Sequence, residues 1–214
     1  KLSAYVIRNQ LDLFSNFTYF MNDPVNGDQF AQPDRRVTSG LDATHTLHLH
    51  RGEPTASDLT VGVRLQNDNI FNGLYDTRAR ERLATTREDH IVETSGGVFI
   101  ESATRWSDVW RTVLGVRAER FDFDVRSDLA ANTGRAHDTQ VSPSFSLIFA
   151  PLASTEFYLN YGHGFHSNDA RGTVAAFDPK TRDPLDRAPG LARSRGMELG
   201  LRTEAIAKMQ TVVS

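Results

Sequence analysis

The sequence predicts an all-β protein, an up-and-down antiparallel sheet of about eight or nine long strands that forms an incomplete transmembrane β-barrel. Three observations predict this class. Apolar and polar residues alternate with a period of two along most of the 214 residues. The alternating runs reach about 9 to 16 residues, whereas strands of ordinary globular domains mostly have about 5 to 6. Short and long connections also alternate along the chain.

The run LTVGVRLQND (59–68) shows the alternation clearly. Leu59, Val61, Val63 and Leu65 fall on one side of an extended chain, and polar side chains fall on the other. Tilted strands of about 9 to 11 residues cross a bilayer, so runs of this length are sufficient to do so. Comparable runs lie at 1–10, 10–20, 40–50, 90–106, 110–125, 141–150, 157–165 and 196–204.

One run changes phase. In WRTVLGVRAERFDFDV (110–125), the apolar residues Leu114, Val116 and Ala118 are even-numbered, but Phe121 is odd-numbered, as are the apolar residues after it. An extra residue in one strand shifts the phase in this way, so we predict a β-bulge near Arg120.

The lengths of the connections distinguish the two edges of the sheet. In an up-and-down sheet, alternating connection lengths place every short turn at one edge and every long loop at the other. Short periplasmic turns and long extracellular loops are typical of outer-membrane barrels. The predicted short turns are 51–58, 107–108, 152–155 and 206–209, and the predicted long loops are 21–35, 69–90, 126–140 and 167–193.

Composition excludes several classes. The 24 Lys and Arg residues nearly balance the 27 Asp and Glu residues, which argues against a nucleic-acid-binding protein. The chain has no cysteine, so it forms no disulfide and offers no thiolate to a metal. No run of about 18 apolar residues occurs, so no transmembrane helix is predicted.

Alternation alone leaves two interpretations of the apolar face: the core of a soluble sandwich, or a surface in contact with lipid. Strand length favours lipid contact. So do five glycines on the polar faces of the runs, because glycine weakens a strand unless an interior object needs the room. Aromatic residues near strand ends also fit the aromatic girdles of membrane barrels. The glycines are Gly62, Gly115, Gly162, Gly196 and Gly200, and the aromatics are Trp106, Trp110, Phe17, Tyr19, Phe20, Phe121 and Phe123.

Eight segments together resemble the β-barrel of TonB-dependent outer-membrane receptors, and YGHGFHSNDARG (161–172) is the most specific part of the match. The resemblance implies a barrel of about 22 strands, plugged by an N-terminal domain that carries the segment contacting TonB. Residues 1–214 are then expected to be part of the barrel domain, without the plug domain and the remaining strands. The segments are LDLFSNFTYF, GDQFAQPDRR, NGLYDTRARER, GVFIESATRW, GVRAERFDFDV, SPSFSLIFAP, TEFYLNYGHGFHSNDARG and ARSRGMELGLRTE.

The resemblance implies uptake of a scarce solute across the Gram-negative outer membrane, driven through TonB. A ferric chelate, a cobalamin and a carbohydrate are all compatible solutes. The implied partners are the TonB complex through the missing plug domain, outer-membrane lipids including lipopolysaccharide, and the transported solute, with no nucleic acid. Two alternatives stay open: a passive porin or structural outer-membrane barrel, and a soluble β-sandwich binding module.

Two sets of candidate site residues follow. The first set is polar and ends the run YLNYGHGFHSNDARG, where the strand leaves the apolar band; it either binds solute or braces the neighbouring loops. It comprises His166, Asn168, Asp169 and Arg171. The second set is charged and lies on the polar faces of the runs, where it is expected to line the lumen and contact the plug. It comprises Arg64, Asp68, Arg117, Glu119, Glu198 and Arg202.

No catalytic residue, cofactor or metal site is predicted. The sequence contains no nucleophile elbow and no phosphate-binding or dinucleotide-binding loop. His48 and His50 lie two residues apart on one face of a run, but no third ligand is near them in the sequence. The predicted protein is therefore not an enzyme.

Overall fold

The computed structural model describes residues 1–51 and 55–214, which form one antiparallel sheet of nine strands. Each strand pairs with its neighbours in sequence, and within the described residues no pairing joins the first strand to the last. The predicted fold class is confirmed. The strands are β1 (Leu2–Ser15), β2 (Phe30–Arg51), β3 (Ala56–Arg78), β4 (Glu81–Arg105), β5 (Trp110–Ser127), β6 (Gly134–Leu152), β7 (Thr155–Ser167), β8 (Leu191–Thr203) and β9 (Thr211–Val213); one helix, α1, spans Ala170–Val174.

The sandwich alternative is excluded by the exposure of the apolar side chains. A sandwich needs a second sheet to cover them, but all nine strands of the described residues belong to one sheet. Leu47, Leu114 and Leu199 are 43%, 50% and 70% exposed. Among the described residues, no helix has the length and apolar composition to cross a membrane.

Strand direction defines two edges. The upper edge carries the connections 16–29, 79–80, 128–133 and 168–190, and the lower edge carries 106–109, 153–154 and 204–210. The predicted short turn 51–58 also falls at the lower edge, but its residues 52–54 lie outside the described residues.

Two predicted long loops, 69–90 and 126–140, are wrong: they consist mostly of strand. β3 and β4 run on to a tight turn at Ala79 and Arg80, which have φ values of 51° and 69°. Two consecutive residues with positive φ form the hairpin turn that Asn-Gly usually marks. Neither residue is Asn or Gly, so the turn has no signal in the sequence, and the charged strand ends resemble a loop.

The predicted bulge near Arg120 is also wrong. β5 pairs with β4 and β6 in continuous register on both sides of this residue. Phe121, Phe123 and Val125 therefore lie on the same face as Arg117 and Glu119. The strand keeps its phase, and the two faces exchange polarity instead.

Polarity also changes along the other long strands. We call the face that carries Leu65 the outer face and the face that carries Arg64 the inner face. Below a polarity boundary the outer face is apolar, and above it the outer face becomes largely polar. On β3, β4 and β5 the inner face above the boundary carries apolar residues such as Ile70, Ile91 and Phe123, whereas on β2 it carries Arg36 and Asp34. The last apolar and first polar outer residues are Val6 and Arg8 on β1, Leu65 and Asn67 on β3, Ala118 and Arg120 on β5, Tyr161 and His163 on β7, and Met197 and Arg195 on β8.

The polarity boundary runs obliquely to the strands. Residues that pair across successive strands form a row perpendicular to the strands. The row that contains Val6 of β1 contains His137 on β6, whereas the row that contains Met197 of β8 contains Phe145 on β6. These rows are about 26 Å apart along β6, and seven strand spacings cover about 34 Å, so the boundary is inclined by about 40°. Strands of outer-membrane barrels tilt by about 35–45°, so a barrel of this tilt brings the boundary level.

Aromatic residues confirm the boundary at one edge and correct the prediction at the other. Near the lower edge, the rings of Trp110 and Phe149 stack at 4.3 Å on the outer face, and Phe157 continues the row at 6.4 Å. The girdle interpretation of Phe121 and Phe123 is wrong, because both lie on the inner face. Phe17, Tyr19 and Phe20 lie in loop 16–29, far above the polarity boundary.

Glycines on the inner face make room for aromatic rings from the paired strand. Phe99 lies opposite Gly62, and a Cβ atom on that glycine would come within 2.3 Å of the ring. Tyr5 covers Gly40 and Tyr158 covers Gly200 in the same way, at 2.3 and 2.2 Å. The rings compensate for the missing side chains, so glycine does not weaken the sheet here.

We predict that Gly62→Ala destabilises the protein by about 1–3 kcal/mol, because the added methyl forces the Phe99 ring out of its packing. Gly196→Ala is the control, since nothing lies within 4 Å of the Cβ position there. Urea unfolding in detergent micelles, followed by tryptophan fluorescence, measures both. Equal losses in the two variants would show that the ring does not constrain Gly62.

Candidate functional site

The long loop, residues 168–190, folds over the upper part of the inner face. Above the polarity boundary this face carries an apolar patch, in which Ile70, Ile91, Phe123 and Val125 lie side by side. Ala170 and Val174 of α1 pack on these four residues, and Phe123 is left 2% exposed. The exchange of polarity thus creates an apolar surface that the loop covers.

Arg171 ties the long loop to the strands. Its guanidinium donates to Asp169 and to the side-chain oxygen of Asn72 on β3, and its Nη1 lies 3.8 Å from the Asp89 carboxylate on β4. Arg87 reaches the same carboxylate at 2.9 Å. Because Asp89 is fully buried, these two cations compensate for its lost hydration.

The pKa values of the two carboxylates in this cluster, Asp89 and Asp169, shift in opposite directions. Burial raises the pKa of Asp89, although Ser127, Arg87 and Arg171 oppose the change. Burial also acts on Asp169, but hydrogen bonds and charge from Arg171 outweigh it and lower the pKa. Asp169 begins α1 by accepting the backbone N–H of Arg171 at 2.9 Å. It therefore stays ionised while it orients the arginine.

Two further contacts hold the long loop. The buried Asn132 accepts from the backbone N–H groups of Ala176 and Phe177 at 2.9 and 3.0 Å, and it donates to the Phe177 carbonyl at 2.8 Å. Arg193, just after the loop, donates to Gln140 at 2.7 Å and to Asp138 at 3.1 Å. The loop is therefore anchored on β3, β4 and β6 and before the start of β6.

A polar cleft remains between the long loop and the strands. Its volume is about 210 Å³, and a larger basin of about 540 Å³ adjoins it over β1, β2 and β3. Arg36, Asn72 and Arg171 border the cleft, together with carboxylates of β2, β4 and the loop, while Leu11 and other apolar residues border the basin. The arrangement offers hydrogen-bonding groups of both signs beside an apolar wall, and no nucleophile paired with a base is part of it.

The first set of predicted site residues divides into two. Asn168, Asp169 and Arg171 lie together at the cleft, and their contacts tie the loop to itself and to the strands; Asn168 donates to the Pro189 carbonyl at 2.9 Å. His166 is exposed at the end of β7, opposite Ala192 of β8, and is not among the residues that border the cleft.

The second set lies on the inner face of the sheet. Arg64 donates to Asp42 at 2.5 Å, and Arg117 pairs with the buried Glu119. Asp68 is buried and accepts from Gln66 at 2.8 Å. The Arg64–Asp42 pair links β3 to β2, whereas the Arg117–Glu119 and Gln66–Asp68 contacts each lie within one strand.

The remaining two members of this set lie near the end of the sheet. Glu198 on β8 accepts from Asn160 of β7 at 3.2 Å. Arg202 pairs with Glu156, which also accepts from Arg111 of β5 at 2.6 Å. Glu156 therefore connects three strands.

Four residues that hold the long loop are not predicted from the sequence. The predicted loop 69–90 contains Asn72, Arg87 and Asp89, and the predicted loop 126–140 contains Asn132. The period of two does continue through 87–93, where Asp89, Ile91 and Glu93 share a face, but charged residues on both faces obscure it. His48, considered as a metal ligand, contacts Asp58 at 2.6 Å; the side chain of His50 lies outside the described residues.

Loop 16–29 is ordered by its own carboxylates. Asp28 accepts from the backbone N–H groups of Asn22 and Asp23 at 3.0 and 2.8 Å. The Thr18 side chain and these donors lower its pKa to about 2. The turn also needs Gly27, whose φ of 83° suits glycine.

Comparison with known proteins agrees with this geometry. Residues 2–204 match the family described as TonB dependent receptor-like, beta-barrel. The chain belongs to this family. A comparison with curated proteins finds no match. Members of the TonB-dependent receptor barrel family are outer-membrane receptors and transporters, not enzymes.

Solved structures of TonB-dependent receptors share the fold. The unliganded ferric citrate transporter FecA superposes with a TM-score of 0.74 at 12% identity, over 95% of this chain and 29% of that one. The copper transporter OprC gives 0.66 at 17% identity, over 96% and 35%. BauA, the ferric preacinetobactin receptor of Acinetobacter baumannii, gives 0.63 at 13% identity, over 95% and 33%. The chain therefore spans about a third of each of these proteins.

We predict that Arg171→Gln loosens the long loop of this barrel. Removing the guanidinium deletes the bonds to Asp169 and Asn72 and leaves Asp89 with one cation, which lowers the free energy of local opening by about 2–3 kcal/mol. Amide hydrogen exchange measures the change over 168–190.

Arg187→Gln is the matched control, because it removes the same charge from an exposed position of the same loop. The control should leave exchange in 168–190 unchanged. Equal exchange in the two variants would contradict the anchoring role of Arg171.

We predict that loop 16–29 opens in acid. The folded-state pKa of Asp28 is about 2, below the ordinary 3.8, so its stabilising effect is present above pH 4 and is lost as the pH falls from 4 towards 2. Hydrogen exchange of the amides of 18–28 across this range checks the expectation. Asp28→Asn should open the loop at neutral pH and remove the pH dependence; a dependence that survives the substitution would show that another group is responsible.

Proposed function

We propose that this chain is part of the wall of a TonB-dependent receptor in the outer membrane of a Gram-negative bacterium. The inclined polarity boundary is the observation that carries the proposal. A soluble sheet has no reason to change one face from apolar to polar along a single inclined line, whereas a tilted strand leaving a bilayer must do so. The exposed apolar residues below the boundary then contact acyl chains.

The proposed receptor extends beyond this chain. Residues 1–214 form a segment of its barrel domain, and further strands and a plug domain complete it. This extent is supported by the coverage of about a third of the FecA, OprC and BauA chains, and by an open sheet whose two outermost strands have free edges. A free strand edge inside a bilayer leaves backbone groups unsatisfied, so the wall has to close.

The lower inner face is proposed to surround the plug. Arg64, Asp68, Arg117, Glu119, Glu198 and Arg202 present charges that are braced on the wall and face the interior. Water replaces such polar contacts at little cost, so the plug can shift when TonB pulls on it. Energy from the inner membrane reaches the plug through TonB, and the wall stays in place.

The cleft under the long loop is proposed as part of the solute path on the extracellular side. Asn168, Asp169 and Arg171 hold its shape, and His166 is an exposed contact for incoming solute. The similar structures include transporters or receptors for ferric citrate, copper and ferric preacinetobactin. A scarce solute such as a ferric chelate, a cobalamin or a carbohydrate fits this setting.

We predict that uptake by the full-length receptor depends on TonB. Cells expressing it, with and without tonB, are given labelled ferric citrate, copper(II), cyanocobalamin and maltodextrin in turn. At least one solute should accumulate at least tenfold more with tonB. Equal accumulation in both strains would support the passive-barrel alternative.

A vector-only strain serves as the background control. Membrane fractionation is run in parallel, and the receptor should separate with the outer membrane. Recovery in a soluble fraction would contradict the proposed location.

A further inference from the structure

The sheet divides between β6 and β7. These two strands pair from their lower ends up to Ser144 and Gly162, and in the described structure no pair joins them above that row. β6 stays paired with β5, and β7 with β8, over the whole of their upper parts. Above the division, 163–167 and 191–195 therefore form a separate two-stranded ribbon, which carries the long loop at its end. We call these two segments the upper ribbon.

The upper ribbon is folded across the inner face. Phe165 and Arg193 lie opposite each other in it, and by alternation they continue the outer face that carries Tyr161 and Met197. The Phe165 ring nevertheless packs edge-on against Phe121 of the inner face, with the ring centroids 5.7 Å apart. The ribbon has therefore turned away from the wall, and it does not continue the sheet beside β6.

The division coincides with a proline. Pro143 is the residue of β6 immediately above the last pair with β7, and in continuous register it would lie opposite His163. Proline has no backbone N–H to donate to a neighbouring strand, so it is unfavourable between two paired strands. Further up β6, the carbonyl of Val141 accepts from the side chain of Gln140 at 2.8 Å.

Asp138 connects this edge of β6 to the upper ribbon. Its Oδ1 accepts from the backbone N–H of Thr139 at 2.8 Å, and its Oδ2 accepts from the backbone N–H of Leu191 at 3.0 Å. Arg193 donates to Asp138 and to the Thr139 carbonyl, both at 3.1 Å. One carboxylate thus covers a backbone donor of β6 and binds two groups of β8.

We propose that Asp138 holds the upper ribbon in the folded-over position and prevents it from pairing with β6. The alternative is a continuous wall, in which the ladder above Ser144 and Gly162 extends upward and Ser142 lies opposite Gly164. Backbone pairing of the two free edges favours this wall. The Asp138 contacts and the packing of α1 on its apolar patch favour the folded-over ribbon. Formation of the continuous wall would withdraw the long loop from the cleft.

Disulfide formation between introduced cysteines distinguishes the two arrangements, since the chain has no cysteine of its own. The full-length receptor in detergent micelles is oxidised mildly, and the linked peptides are identified by mass spectrometry. Ser144→Cys/Gly162→Cys, the lower pair, reports pairing below the division, and Ser142→Cys/Gly164→Cys, the upper pair, reports the continuous wall. Directly opposed residues have Cβ atoms about 4.5–5.5 Å apart, which small adjustments bring into disulfide range. We expect the lower pair to link and the upper pair to stay reduced.

Asp138→Ala should raise cross-linking of the upper pair at least about tenfold, because it removes the charged acceptor that binds β8 and covers the β6 edge. Asp138→Asn keeps one acceptor oxygen and should have an intermediate effect. Asp186→Ala is the matched control, since it removes an exposed carboxylate from the long loop, and it should leave the upper pair reduced.

The lower pair also reports folding, because it links only where β6 and β7 remain paired. If Asp138→Ala loses this link, the milder Asp138→Asn decides the question. Cross-linking of the upper pair in the unmodified receptor would overturn the division, and an upper pair that stays reduced in the folded Asp138 variants would overturn the role of Asp138. None of these outcomes depends on uptake, so they are distinguishable from failure of the proposed function.

Discussion

In the proposed membrane position the structure depends on one constraint: long strands pass through surroundings that change polarity along their length. Below the polarity boundary the outer face is apolar and the inner face is charged. Above it the outer side chains become largely polar, as contact with water would require, and part of the inner face forms an apolar core. The 40° inclination of the boundary follows because every strand crosses the same level plane at a tilt. The position of the long loop is a consequence, since Ile70, Ile91, Phe123 and Val125 need a cover.

The long loop brings buried charge with it. Packing α1 on the apolar residues places Arg171 over Asp89, and burial of a single carboxylate without cations would be strongly unfavourable. Arg87 and Arg171 supply the compensation, and Asp169 fixes the orientation of Arg171. The contact between Arg171 and Asp89 fixes the position of the loop more than it adds to stability. If the loop moved, one of the two charges would be left unpaired in a site without water. The loop is thus held in one place above the cleft.

The sequence was sufficient for the sheet order and for the faces below the boundary, because the period of two is regular there. It failed where the exchange of polarity imitates other signals. At Arg120 the exchange looks like a change of phase, and between Asn72 and Asp89 charged residues on both faces look like a loop. The turn at Ala79 and Arg80 contains neither glycine nor asparagine, so its conformation leaves no mark in the sequence. The partners of Arg171 were out of reach for another reason: Asn72 is 99 residues away, and only the folded sheet brings them together.

The two halves of the inner face differ in a way that bears on motion. In the upper half the contacts are dry, and Phe123 and Asp89 are almost inaccessible to water. In the lower half Arg64 and Arg117 keep about half of their side-chain surface exposed while they pair with carboxylates of the wall. Dry apolar contacts are lost with a large penalty, whereas exposed ion pairs exchange with water at small cost. In the proposed receptor, a plug inside the lower half can therefore shift past a wall that stays intact, while the long loop above it keeps its place.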